Sequence, residues 1–279
     1  MVTQEQRRRQ LAREKFLRQQ QRRTSARRKA HARNAVIASV LGVIVVGSVV
    51  SYATGVFKKD DDDKSNAAAE ATPSASPSKA PDPCDKAAAG KVKSLTYKKE
   101  PAITIDKSAD YTMKLQTTCG AIDIDMPASK APHTVNSFSF LTGKGYLDHT
   151  KCHRLTTNGI YVLQCGDPQG TGMGGPGYTI PDENLKDKRL KGDVYPAGTV
   201  AMANQYNAQT KEGRDSGGSQ FFLVYQDSQL PANYTPFGTI SKSGMKVLKK
   251  IAAAGESTGQ GDGTPNATVV IDKATVTKS

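Results

Sequence analysis

Tyr111-Thr-Met-Lys-Leu-Gln-Thr117 and Ala121-Ile-Asp-Ile-Asp-Met126 each carry an apolar side chain at every second position. Successive side chains of a strand point to opposite faces, so both segments read as half-buried strands. Thr118-Cys119-Gly120 separates them, which predicts a β-hairpin opening an antiparallel sheet, and Pro127 ends it. The period then changes. Ala131 to Gly143 (APHTVNSFSFLTG) sets Val135, Phe138 and Leu141 at helical spacing, with Pro132 suited to a first turn and Gly143 to a C-terminal cap. A second helix fits Gly244 to Ala254, where Met245, Val247, Leu248 and Ile251 precede Gly255, and Thr268 to Val276 reads as a last strand. Many short strands with two helices predict a mainly β fold, a closed or nearly closed barrel capped at its ends.

Toward the N-terminus the composition shifts. The chain has 279 residues, 39 Lys and Arg against 26 Asp and Glu, and a net charge of +13. Residues 1–34 hold ten Arg and two Lys against Glu5 and Glu14, a surplus of +10 that leaves only +3 for the other 245 residues. That distribution argues against a nucleic-acid-binding domain. Ala35 to Phe57 (AVIASVLGVIVVGSVVSYATGVF) is 23 residues without a charge. As a helix it would run about 34 Å, enough to cross a hydrocarbon core of about 30 Å, and the Arg-rich flank keeps the N-terminal side in the cytoplasm. The expectation is a single-pass anchor in the cytoplasmic membrane with the bulk of the chain outside. A cleaved signal peptide, with small residues at Ser51 and Ala53, is the competing reading; the long apolar run and long leading segment weigh against it. Lys58 to Lys64 (KKDDDDK) reads as a solvated collar and Ser65 to Pro83, rich in Ala, Ser, Pro and Thr, as a spacer that cannot bury a core. The expected parts are a basic tail at 1–34, a membrane span at 35–57, a disordered linker at 58–83 and a folded domain at 84–279.

Between the two helices lie Cys152-His-Arg-Leu155, followed by Val162-Leu-Gln-Cys-Gly-Asp167. Gly170-Thr-Gly-Met-Gly-Gly-Pro-Gly-Tyr178 comes next, then Met202-Ala-Asn204 with Gly218-Ser-Gln-Phe-Phe-Leu223. In order and spacing these resemble the signature blocks of the cyclophilin peptidyl-prolyl cis-trans isomerases. Thr134 to Phe138 and Leu230 to Gly238 extend the likeness, which covers roughly Tyr111 to Thr277. The resemblance implies an eight-stranded antiparallel barrel with two capping helices, and catalysis of cis/trans interconversion at X-Pro bonds with no cofactor and no metal.

The barrier to such a rotation is about 18–20 kcal/mol, because the amide C–N bond has partial double-bond character. No bond breaks. A catalyst must bind the twisted amide better than either planar form, each ~1.4 kcal/mol of preference giving about tenfold in rate. Arg154 suits this task, since the twisted prolyl nitrogen gains a lone pair that a fixed guanidinium can bond only then. The resemblance gives Arg154 the same catalytic role. Gln164, ten residues on along the neighbouring strand, can hold a substrate carbonyl and orient the guanidinium. Asn204 matches a position that binds substrate backbone. The floor under the proline ring would be Phe222 with Tyr161 or Val162, Met202 and Leu230, with Gln220 lining the same groove. His153 reads as a packed strand residue, since the reaction asks for no general base. The glycines from Gly170 to Gly177 read as a loop over the groove, because no Gly-Lys-Ser/Thr follows them as in a phosphate loop.

The chain also departs from the better-known members of that family. Two extra residues separate Arg154 from Gln164, which leaves the pocket residue open between Ile160 and Tyr161. Gln205 to Asp215 is extended and polar and should alter the groove rim. Gln229 stands where the drug-sensitive members carry Trp, which predicts weaker binding of cyclosporin-type ligands, and Tyr234 stands where many carry His, offering an aromatic edge and a hydroxyl. Four Cys (Cys84, Cys119, Cys152, Cys165) lie on the exported side, where disulfides persist and three pairings are possible; a zinc site lacks a fourth ligand. If Arg154 and Gln164 face one groove, alternation puts Cys152 on that face and Cys165 away from it. That argues against a bridge between them and leaves cross-links involving Cys84 or Cys119 as candidates. The combined expectation is a monomeric, membrane-anchored foldase acting on proline-containing polypeptides; the alternative is a proline-peptide-binding scaffold module with little turnover.

Overall fold

The computed structural model describes residues 81–279; the expected basic tail, membrane span and the linker up to residue 80 lie outside the described residues. Among those described, no helix is long and apolar enough to cross a membrane. Strands β1 (Asp110–Thr117) and β2 (Gly120–Pro127) pair antiparallel in unbroken register, from Asp110 opposite Pro127 to Thr117 opposite Gly120. Burial follows their alternation: Met113, Leu115, Ile122, Ile124 and Met126 are all at most 1% exposed. Helix α1 (Pro132–Gly143) adds Val135, Phe138 and Leu141 to the core. The chain continues through β3 (Thr150–Lys151), β4 (Arg154–Thr156), β5 (Val162–Cys165), β6 (Val194–Tyr195), β7 (Thr199–Met202), β8 (Phe221–Val224), β9 (Ser228–Gln229) and β10 (Pro236–Ile240). Helix α2 (Lys242–Ala253), β11 (Asp262–Gly263) and β12 (Val270–Lys278) complete it. The second helix begins earlier than the expected Gly244, because the Ser241 hydroxyl caps it, accepting the Gly244 N–H at 3.1 Å.

Ten strands form one antiparallel sheet in the order β11-β4-β5-β8-β7-β10-β2-β1-β12-β3, with β6 and β9 as a separate ribbon. β3 and β4 fall near opposite ends of that order, yet only Cys152 and His153 separate them in the chain. The Cys152 N–H donates to the Val269 carbonyl on one side and the His153 N–H to the Gln164 carbonyl on the other, both at 3.0 Å. The sheet therefore curls back on itself, with β3 and β4 as two halves of one bent strand. Inside it Phe138 meets Phe221 edge-on at 5.4 Å and stacks on Phe237 at 5.0 Å.

Both disulfides are formed, Cys84–Cys119 and Cys152–Cys165. The second corrects the expectation from alternation. Strand geometry does not run through Cys152 and His153, where the chain leaves β12 for β5, so side-chain direction resets there. Cys152 and Cys165 consequently both point into the core, 5% and 0% exposed.

Residues 85–109 cross the outside of this barrel as a strap without regular structure. Its backbone bonds to side chains and loops: the Asp85 N–H to the Thr118 carbonyl, the Tyr97 N–H to the Pro176 carbonyl (both 2.8 Å) and the Thr104 N–H to the Asn136 amide oxygen (3.0 Å). The Tyr97 ring lies edge-on to Phe140 at 4.9 Å. Asp82 accepts the Thr268 N–H at 2.9 Å, so the folded part includes residues assigned from sequence to the linker.

Candidate active site

The wall β4-β5-β8-β7 carries a row of residues in direct register: Arg154 opposite Gln164, Gln164 opposite Phe222, Phe222 opposite Ala201. Because side chains alternate along each strand, Leu163 and Cys165, Phe221 and Leu223, and Val200 and Met202 fill the core. Their neighbours Val162, Phe222, Val224 and Ala201 face outward and, with Tyr195, form a second apolar cluster; Ile160, Leu190, Ala203, Leu230 and Tyr234 pack against it. There a pocket of about 180 Å³ is lined by Arg154, Ile160, Val162, Gln164, Ala203, Asn204, Phe222, Leu230 and Tyr234. Arg154 is the one ionised group among these residues, so the pocket offers donors and an apolar floor but no acid–base pair.

Arg154 is held on two sides. Its Nη1 donates to Gln164 Oε1 at 3.2 Å, while Nε and Nη2 donate to Asp262 Oδ1 and Oδ2 at 2.8 and 2.7 Å. These bonds to Asp262 raise the guanidinium pKa further against burial, and the same bonds hold the Asp262 carboxyl below the usual carboxylate range. Gln164 passes the chain on, donating from Nε2 to Gln220 Oε1 at 2.9 Å, and Gln220 donates to the Gly174 carbonyl at 2.9 Å. The row is thus wired to the glycine-rich loop. That loop hangs on Asp167, fully buried, whose carboxylate accepts the N–H groups of Gln169, Thr171 and Gly172 at 2.7–2.9 Å. Burial pushes the Asp167 pKa up, and these N–H groups outweigh it and hold the carboxyl low. The far wall is fixed by Tyr195, whose hydroxyl donates to the Tyr234 carbonyl at 2.7 Å; burial pushes this phenol up to about 12, so it stays protonated.

A model of the cyclophilin type peptidyl-prolyl cis-trans isomerase/CLD family matches residues 112–276, more than half of the chain. The chain belongs to this family. It is 46% identical over 172 residues to "Probable peptidyl-prolyl cis-trans isomerase B" of Mycobacterium leprae, covering 59% of this chain and 56% of that one. With the protein of the same name from Mycobacterium tuberculosis it shares 43% over 171 residues, or 58% and 53% of the two chains. It spans about half the length of these curated relatives. A crystal structure of a Cryptosporidium parvum cyclophilin type isomerase superposes with a TM-score of 0.49 at 25% identity, over 61% of this chain and 99% of that one.

In this member of the cyclophilin type family, the expected residues Arg154, Gln164, Val162, Asn204, Phe222, Leu230 and Tyr234 come together at the pocket. Three do not. Ile160 lines the pocket, whereas Tyr161 turns to Tyr225, ring edge to face at 5.9 Å. Met202 points to the core side of β7, near Ile180, because it shares the parity of Val200 and not of Ala201. Gln220 borders a wider concavity of about 760 Å³ beside the pocket, lined also by the loop from Gly172 to Thr179 and sharing Gln164, Ala203 and Asn204 with it. Asn204 is not a free amide: its Nδ2 donates to the Asn233 carbonyl at 2.8 Å and ties β7 to the segment before Tyr234. In the extended rim, Arg214 stacks over the Tyr206 ring at 3.6 Å and donates to Asp182 and Asn233, so this loop is folded onto the groove edge. Both ring nitrogens of His153 are buried without a hydrogen-bond partner, and burial lowers its pKa, which keeps the ring neutral. Sequence reasoning missed Ile160 as the definite lining residue, Ala203, and Asp262, which stands in a two-residue strand with no pattern to mark it.

Proposed function

We propose that this chain is a peptidyl-prolyl cis-trans isomerase acting on proline-containing polypeptides. The observation that carries the reading is a guanidinium fixed at the mouth of a small apolar pocket floored by Phe222. A proline ring seated against Phe222, Ile160 and Leu230 puts its nitrogen within the reach of Arg154. The donor then strengthens as the amide twists and conjugation is lost, which lowers the barrier without any covalent step. Gln164 borders the same mouth and keeps one amide N–H for a flanking carbonyl, while Asn204 shapes the rim through its bond to the Asn233 carbonyl. The full chain is expected to accelerate cis-to-trans conversion of a proline tetrapeptide in a protease-coupled assay; a rate equal to the uncatalysed one would overturn the reading.

The same proposal places the domain outside the cytoplasmic membrane, held by Ala35 to Phe57, where it would act on exported chains. The uncharged 23-residue run behind an Arg-rich tail supports this, as do two disulfides that together use all four cysteines. Protease added to spheroplasts should digest the folded domain and spare residues 1–34. Protection of the whole chain would place it on the other side.

A further inference from the structure

On the isomerase reading, Arg154 must be aimed as well as present, and Asp262 is built to aim it. A guanidinium has five N–H donors in a rigid fork. Asp262 takes two of them and Gln164 one, leaving one on each Nη for a substrate. Asp262 sits opposite Thr156, two residues from Arg154 on β4, a diagonal that a long side chain spans. Its own placement is fixed from behind. Gly261 has φ +92, and a Cβ there would run into Asn158, so only glycine lets the chain lie this close. The preceding loop is tied down by Glu256, 7% exposed, whose carboxylate accepts the Thr258 N–H at 2.6 Å and the Gly261 N–H at 2.9 Å. A largely buried acid thus holds a loop that presents Asp262 to the guanidinium.

We infer that Asp262 is a positioning residue for the reaction: it fixes the plane of the Arg154 guanidinium so that the two remaining donors face the prolyl amide, without itself touching substrate. The side chains of Arg154 and Asp262 are 40% and 55% exposed, and water screens such a pair, so its effect lies in orientation and little in stability. Lysine could not replace Arg154 here, since the two-pronged bond to Asp262 needs the fork.

The test compares the full chain with its Asp262→Asn and Asp262→Glu variants by NMR exchange on a proline peptide, which separates the on-protein exchange rate from peptide affinity. Asp262→Asn is expected to slow exchange about tenfold, with affinity within about twofold, and Asp262→Glu to recover most of the rate. The Arg154 Nε–Hε resonance should shift and lose its protection from solvent exchange in Asp262→Asn. Wild-type exchange in Asp262→Asn, an unmoved Nε–Hε signal, or a loss confined to affinity that Asp262→Glu does not recover would each overturn the role. A wild-type chain without exchange would instead sink the isomerase reading, and the Nε–Hε signal would then decide whether Asp262 aims Arg154.

Discussion

Arg154→Ala is expected to lower kcat/KM for a proline peptide by about 10²–10³-fold, the size of effect seen when one preorganised transition-state donor is removed. The fold should be untouched. Arg154 lies on the outer face of β4 with its side chain 40% exposed, and the pair it makes with Asp262 is open to water. The protease-coupled assay gives the first number and a circular-dichroism melt the second. Arg154→Lys keeps the charge but cannot be gripped on two sides, and should fall nearer to alanine than to arginine. An alanine variant within a few-fold of wild type would mean that the twisted amide is stabilised by some other group.

The second large effect lies one residue away from the pocket floor. Phe221 and Phe222 are neighbours on β8, yet Phe221 faces the core, fully buried, edge-on to Phe138 at 5.4 Å and to Phe237 at 6.5 Å. Phe221→Ala leaves a cavity that a curled sheet cannot close, and should cost about 3–5 kcal/mol of stability. Urea unfolding of the two alanine variants separates the faces. Phe222→Ala removes the floor against which Tyr234 and Tyr195 pack, at 5.5 and 6.2 Å, and should show its main loss in peptide affinity. A Phe221→Ala cost below about 1 kcal/mol would mean that the two faces have been assigned the wrong way round.

Those two faces were already legible where period two runs without interruption. Met113, Leu115, Ile122 and Ile124 alternate in the sequence and alternate in the sheet, and the resemblance of the Arg154, Gln164 and Phe222 blocks pointed to a row that the register then displays. Reading failed wherever local pattern gives way to contacts between distant residues. Asp262 meets Arg154 across 108 residues, and nothing in Gly261-Asp262-Gly263 marks it. The Cys152–Cys165 bridge was misjudged because alternation was carried through a bend. The choice between Ile160 and Tyr161 turned on a tight reversal at Asn158 to Ile160 that absorbs the two extra residues. The strap at 85–109 has no period to find, since side chains such as Asn136 and Asp272 take up its backbone N–H groups.

The staple between Cys84 and Cys119 has a mechanical consequence. It joins the start of the strap to the tip of the first hairpin, linking two residues 35 apart in sequence and enclosing the strap and β1 between them. A pull from the N-terminal side is therefore delivered through sulfur to the β1–β2 tip and bypasses the strap. Tension on the lead cannot peel the strap from the barrel until that covalent shortcut is cut.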